Sequence, residues 1–190
     1  MAIVIIADDL SGAAELAGIA HAHGYVAEVH RDFDAASDAE VIAVDTDSRG
    51  LLPEAAADRV RQAAREILAA KPAWLFKKVD SLLRGNVRAE IEALLDATGQ
   101  GQAVLIPANP SRGRTIVRGE LRIDGVPLHE TALAGEPQHP RRTSRVAELI
   151  SGDSLPTESI DAPDVATAEE LLHHAASYDD TTLAAGAADF

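Results

Sequence analysis

AIVIIADDLSGAAELAGIAHAHG, residues 2–24, contains the unit from which the rest of the chain is built. Its first six residues are apolar without a break, as in a strand covered on both faces of a parallel sheet. The run stops at the polar turn Asp8-Asp9-Leu10-Ser11-Gly12. An alanine-rich segment of high helical propensity then continues to His23, with Ser11 placed to cap its start and Gly24 to stop it.

The same strand-turn-helix rhythm returns along the chain. YVAEVH (25–30) and VIAVDT (41–46) read as strands, and Pro53 sits at the first turn of a helix over 54–70 whose Val60, Ala64, Ile67 and Leu68 share one face. Lys71 and Pro72 close that helix. WLFKKV (74–79) is the next strand, NVRAEIEALLDATG (86–99) a helix ended by Gly99, and AVLIPA (103–108) a fifth strand. Beyond Pro107 the pattern shortens. Residues 116–128 hold two extended segments and an Asp124-Gly125 turn, which predicts a β-hairpin projecting from the main sheet. Residues 134–142 are loop by their Gly and Pro content, 144–150 and 166–177 are helical, and TTLAAG (181–186) is one more strand. No internal repeat or low-complexity linker interrupts the series. The expected fold is α/β: one domain over 1–190, a doubly wound, mostly parallel sheet flanked by helices, with the hairpin after the fifth strand.

Composition narrows the function. A chain of 190 residues with 46% hydrophobic residues can bury its own core. Its apolar runs fall far short of the roughly 18 residues that cross a bilayer, and no basic segment precedes the first strand, so a cytoplasmic protein is expected, without membrane contact. The absence of cysteine removes disulfides, thiolate metal sites and thiol nucleophiles. A net charge of -14 and only 3% aromatic residues argue against nucleic acid as a partner. The charge is uneven, however: residues 77–145 hold eleven of the seventeen Lys and Arg but only eight of the thirty-one acids. Either a small anion is drawn to this region or the cations lie on solvated helix faces. Residues 146–190 carry ten acids and no Lys or Arg, the pattern of a solvated outer layer.

In a doubly wound sheet the ligand sits beyond the carboxyl ends of the strands, and the polar residues gather there. Asp8, Asp9 and Ser11 follow the first strand; Asp45, Asp47, Ser48 and Arg49 the third; residues 77–86 the fourth; Asn109, Arg112 and Arg114 the fifth. In LRGN (83–86), Gly85 permits close backbone approach, the next helix offers unpaired N–H groups, and Arg84 can grip a carboxylate or phosphate. The same cations could instead neutralise Asp80 and its neighbours. Of Asp8 and Asp9, one can cap the helix and the other can orient a hydroxyl or take its proton. DTDSRG (45–50) also admits a rival, a haloacid-dehalogenase-like, Mg2+-dependent phosphatase with Asp45 as nucleophile, or simply a turn. The seven histidines have no metal-ligand spacing and read as surface residues. No metal set is expected, and no glycine-rich loop cradles a nucleotide.

Several segments together resemble the four-carbon acid sugar kinases: ADDLSGA (7–13), DTDSR (45–49), FKKVDSLLRGN (76–86), PANPSRGRT (107–115), GELRIDGVPLHET (119–131) and the GEPQHP loop (135–140). They span almost the whole chain in the family's order. Ser11 and Leu82 each stand where the family usually has Thr, and the second change removes a hydroxyl. Family members pair an N-terminal domain that binds the sugar acid with a C-terminal domain that binds ATP, so the resemblance implies the first domain alone, ending about where the nucleotide half would begin. It implies a small anionic sugar acid of the threonate, erythronate or 3-oxo-tetronate type as ligand. Asp8, Ser11, Arg49, Lys77, Lys78, Ser81, Arg84, Gly85, Asn86 and Arg114 should line its site, with Asp9 or Asp80 as catalytic base. ATP and Mg2+ are expected only with a nucleotide-binding half, in a separate chain or otherwise; a homo-oligomer and a non-catalytic, sugar-acid-binding regulatory module are the other readings.

Overall fold

In the computed structural model, which describes residues 2–137, 139–151, 158–179 and 181–190, the first strand lies between two others. β1 (Ile3–Ala7) pairs in parallel with β3 (Val41–Asp45) on one side and with β4 (Trp74–Lys78) on the other. The sheet also contains β2 (Ala27–His30), β5 (Gln102–Ile106), β9 (Ile160–Asp161) and β10 (Thr182–Gly186). Their order is β2-β3-β1-β4-β10-β5-β9, and every pairing is parallel. The expected doubly wound α/β fold is therefore present.

Helix α1 (Leu10–Ala22) returns the chain from β1 towards β2, whereas α2 (Pro53–Ala69) and α3 (Val87–Thr98) carry it the other way across the sheet. Right-handed crossovers put α1 on one face and α2 with α3 on the other, and the latter two pack together. Ile6, Ile67, Ile91, Leu94, Leu105 and Ile106 form the fully buried centre. The chain enters α2 through Pro53, whose fixed φ suits a first helical turn, and leaves α3 through Gly99 at φ 75°. Short helices α4 (Val146–Ser151) and α5 (Ala168–Ser177) follow, the latter started by a capping box of Thr167 and Glu170.

Two expectations are sharpened. The cap of α1 is Asp9, whose Oδ1 accepts from the Gly12 N–H at 2.8 Å; Ser11 lies inside the first turn, exposed. The hairpin is a three-stranded antiparallel sheet of β6 (Arg114–Val117), β7 (Glu120–Ile123) and β8 (Val126–Pro127). It does not stand clear of the body: Ile116, Leu121 and Leu128 are fully buried, and Ile116 bridges Val165. The last strand inserts between β4 and β5.

The strand ends are tied together by a buried ion pair. Lys77 Nζ lies 2.7 Å from Glu90 Oε2 on α3, with the two side chains only 0% and 1% exposed. The ammonium also donates to the carbonyl of Lys78 at 2.9 Å, and Ser48 Oγ donates to Glu90 Oε1 at 2.7 Å. Thr46 Oγ1 contacts Ser48 Oγ and donates to the Ala7 carbonyl, both at 2.8 Å. One network thus joins the ends of β1, β3 and β4 to α3. Glu90→Ala would leave the Lys77 charge buried and unpaired, and should cost about 3–5 kcal/mol in urea unfolding. A loss below about 1 kcal/mol, the range of a surface pair, would contradict this role.

Candidate functional site

A polar cleft of about 460 Å3 opens at the carboxyl ends of the central strands. The turn after β1 and the first turns of α1 give it Asp9, Ser11, Gly12 and Glu15; the loop after β3 gives Arg49; β4 and its following loop give Lys78, Asp80, Ser81 and Arg84; the loop after β5 gives Arg112 and Arg114. Side chains alternate along a strand, so the adjacent lysines of β4 part company. Lys78 reaches the cleft beside α1, while Lys77 points into the opposite layer and meets Glu90. Lys77 is therefore not a ligand-facing residue. Gly85 and Asn86 also stand behind the cleft. Asn86 Nδ2 donates to the carbonyls of Ser48 and Leu51 at 3.2 and 2.9 Å, holding the loop after β3. At Gly85, φ 85°, a Cβ would come within 3.1 Å of Arg49 Cγ and 3.3 Å of Asp8 Oδ2. The side chain of Leu82 is buried in the core, so of the two departures from the family pattern only Ser11 lines the cleft.

Most charges in the cleft are already matched. Arg49 clamps the buried Asp8 through Nε and Nη2 at 2.7 and 2.9 Å, and its Nη1 donates to Asp9 Oδ2 at 2.6 Å. Asp8 is thus the support of Arg49 and not a wall of the cleft. Arg84 makes a second bidentate pair with Asp80, at 2.9 and 2.7 Å, and reaches Glu136 at 3.1 Å. Glu15 bridges Lys78 at 3.2 Å and Arg112 at 2.9 Å. Arg114 differs: its Nη1 donates to Ser81 Oγ, and it has no carboxylate partner among the described residues. Among the described residues that line the cleft, Arg114 is the cation without a carboxylate partner, while Glu15 is shared by two cations and Arg49 and Arg84 each meet two carboxylates.

The family model described as "Sugar-binding N-terminal domain" matches residues 3–187. The chain belongs to this family. Its relatives include a D-erythronate kinase of Heliobacterium modesticaldum, 38% identical over 158 residues, 80% of this chain and 36% of that one. A D-threonate kinase of Bordetella bronchiseptica is 37% identical over 85% of this chain and 42% of its own length. The sugar-binding domain described here thus spans about two fifths of those kinases. In structure it is similar to a Bordetella bronchiseptica protein crystallised with citrate as a domain-swapped dimer, with TM-score 0.85, 29% identity, and coverage of 99% of this chain and 55% of that one. A Haemophilus influenzae protein, TM-score 0.87 at 20% identity, shares the fold. The resemblance read from the motifs to four-carbon acid sugar kinases holds.

Within this sugar-binding domain, Glu15 and Glu136 are the site residues that the motifs did not single out. Glu15 was legible in principle, because it follows Ser11 by four residues and so lies above it on one helical face. Glu136 lies in the loop after β8, and nothing local in the sequence connects it with Arg84. The rival phosphatase residues lie elsewhere: Asp45 Oδ1 accepts from the Asp47 N–H at 2.8 Å, a turn, while the exposed Asp47 pairs with Arg31. Among the described residues no group of three or more His, Asp or Glu could hold a metal ion, and no histidine is buried. Nor, among the described residues, does any helix have the length and apolarity to cross a membrane.

Burial alone would raise the Asp80 pKa, but the Arg84 guanidinium, together with the Arg84 backbone N–H and the more distant Arg49, pulls it down to about 2. Asp80 is a fixed carboxylate and a weak proton acceptor near neutral pH. Its lowered pKa stabilises the fold above the unfolded value near 4, and that contribution disappears as pH falls through about 2. Asp80→Asn should therefore cost about 2 kcal/mol at pH 6 and almost nothing at about pH 2, measured by urea unfolding at the two pH values. An equal loss at both would show that the charge pair carries no such stability.

Proposed function

We propose that this domain is the substrate-binding part of an ATP-dependent kinase that phosphorylates a four-carbon sugar acid of the threonate, erythronate or 3-oxo-tetronate type. The observation that carries this reading is Arg114, the cleft arginine that no carboxylate of the described residues neutralises, set beside Ser81. A guanidinium so placed offers a forked grip to a planar carboxylate, and a single unmatched charge suits an acid with one carboxylate. Ser11, Lys78 and Asp9 around the same cleft present donors and acceptors to the hydroxyls of the chain. Of the two carboxylates expected as base, Asp9 is the better placed, since Asp80 is saturated by Arg84 and held ionised. Asp9 Oδ2, shared with Arg49, would receive the proton of the reacting hydroxyl.

Arg49, Lys78, Arg84 and Arg112 each face a carboxylate of the chain, so a triphosphate would meet them only by displacing those carboxylates. ATP with Mg2+ would supply the phosphoryl group from a nucleotide-binding part, whether continuous with this chain, on a separate chain, or brought by self-association.

Isothermal titration with D-threonate, D-erythronate and 3-oxo-tetronate tests the binding step without that part. At least one should bind saturably, and Arg114→Ala should weaken it by about 1.5–3 kcal/mol, the worth of a charged hydrogen bond. Arg84→Ala should act mainly on stability, through Asp80. No binding across the panel, or binding indifferent to Arg114, would overturn the reading.

A further inference from the structure

Glu15 holds its two cations in a way that ordinary surface pairs do not. Its Oε2 meets Lys78, whose side chain is only 5% exposed, while its Oε1 meets Arg112, whose side chain is 58% exposed. Lys78 Nζ spends a second donor on the Val79 carbonyl at 3.0 Å, which fixes the ammonium beside the first turn of α1. There is little room there: a Cβ on Gly12 would lie 3.3 Å from Lys78 Cγ and 3.6 Å from Lys78 Nζ. A rigid ammonium and an adjustable guanidinium, held to one carboxylate by its separate oxygens, form a socket for an anion with several oxygens. A phosphoryl group, with three terminal oxygens and up to two charges, fits that description better than a carboxylate does.

We propose that Lys78 and Arg112 form a second anion subsite, separate from Arg114, that takes a phosphoryl group, and that Glu15 occupies this subsite while the cleft is empty. That the group is one being transferred rests on the kinase reading above; the subsite itself does not. The arrangement makes Glu15 a specificity-determining residue. A sugar acid with one carboxylate binds at Arg114 and leaves the Glu15 bridge in place. A phosphorylated acid gains the second subsite only by displacing Glu15, so its retention is weakened by an internal competitor.

The test uses the 190-residue chain, with inorganic phosphate and D-threonate as separate titrants. Glu15→Gln keeps the shape of the side chain and removes the competing charge. It should tighten phosphate binding about tenfold and D-threonate binding by a clearly smaller factor. Adding Arg112→Ala should abolish the gain. An unchanged phosphate affinity, an equal gain for D-threonate, or a gain that survives Arg112→Ala would each overturn the proposal. Should Glu15→Gln fail to fold, Arg112→Ala alone, at an exposed position, should weaken phosphate about fivefold or more, and no change would overturn it. Failure of all three sugar acids to bind the unaltered chain would count against the kinase reading, while a phosphate gain dependent on Arg112 would still establish the subsite.

Discussion

The contact between Lys77 and Glu90 is the constraint on which the cleft depends. Two charges taken wholly out of water gain little net stability from each other, because desolvation consumes most of their attraction. Their value lies in what the surrounding donors and acceptors must do. Glu90 accepts from Ser48, Ser48 contacts Thr46, and Thr46 donates to the carbonyl that ends β1. If any of these strands shifted by one residue, a buried charge or hydroxyl would lose its partner. The network therefore fixes where the loops after β1, β3 and β4 begin, and each of those loops contributes a wall of the cleft.

Upon that base the arginine-aspartate pairs act as rigid panels. Arg49 is locked to Asp8 and Asp9, and Arg84 to Asp80, in bidentate geometry that leaves little rotamer freedom. Burial alone would lower the Arg49 pKa, but Asp8, together with Asp80 and Asp9, raises it on balance, so the guanidinium stays charged. Gly85 lets the loop after β4 close against this pair where any Cβ would press on Arg49 and Asp8. A cleft walled by matched charges is strongly polar yet nearly neutral, and a single extra arginine then sets the sign of what enters.

The parts of this design that are local were legible in the sequence. Apolar runs, the proline of α2 and the glycine after α3 gave the elements, and the rule that ligands sit at strand carboxyl ends gathered Asp9, Arg49, Lys78, Asp80, Ser81, Arg84 and Arg114. What could not be read was pairing across distance. Lys77 and Lys78 look equivalent in a motif, and only knowledge of which face α3 covers separates the structural lysine from the one in the cleft. Asp8, Asp9 and Ser11 all suit the cap of α1, and the choice among them depends on where the helix begins. Thr182–Gly186 reads as a strand, but its place between β4 and β5 is a matter of topology.

That insertion determines the width of the cleft. Neighbouring strands lie about 4.8 Å apart, so placing β10 between β4 and β5 sets their ends about 10 Å from each other. The loops after β4 and β5 therefore start about two strand spacings apart, and Arg114 reaches across to Ser81. β10 fits tightly there: it ends in Ala184, Ala185 and Gly186, and a Cβ at Gly186 would come within 2.7 Å of the Ile106 carbonyl. The residues after β10 also brace the far wall. Asp189 accepts from the backbone N–H and hydroxyl of Ser111, each at 2.8 Å, and its own N–H donates to Asn109 Oδ1 at 2.9 Å. These bonds hold the turn that carries Arg112 and leads into Arg114. The strand most distant in sequence from the motif residues is thus what separates the walls of their cleft and positions its unmatched charge.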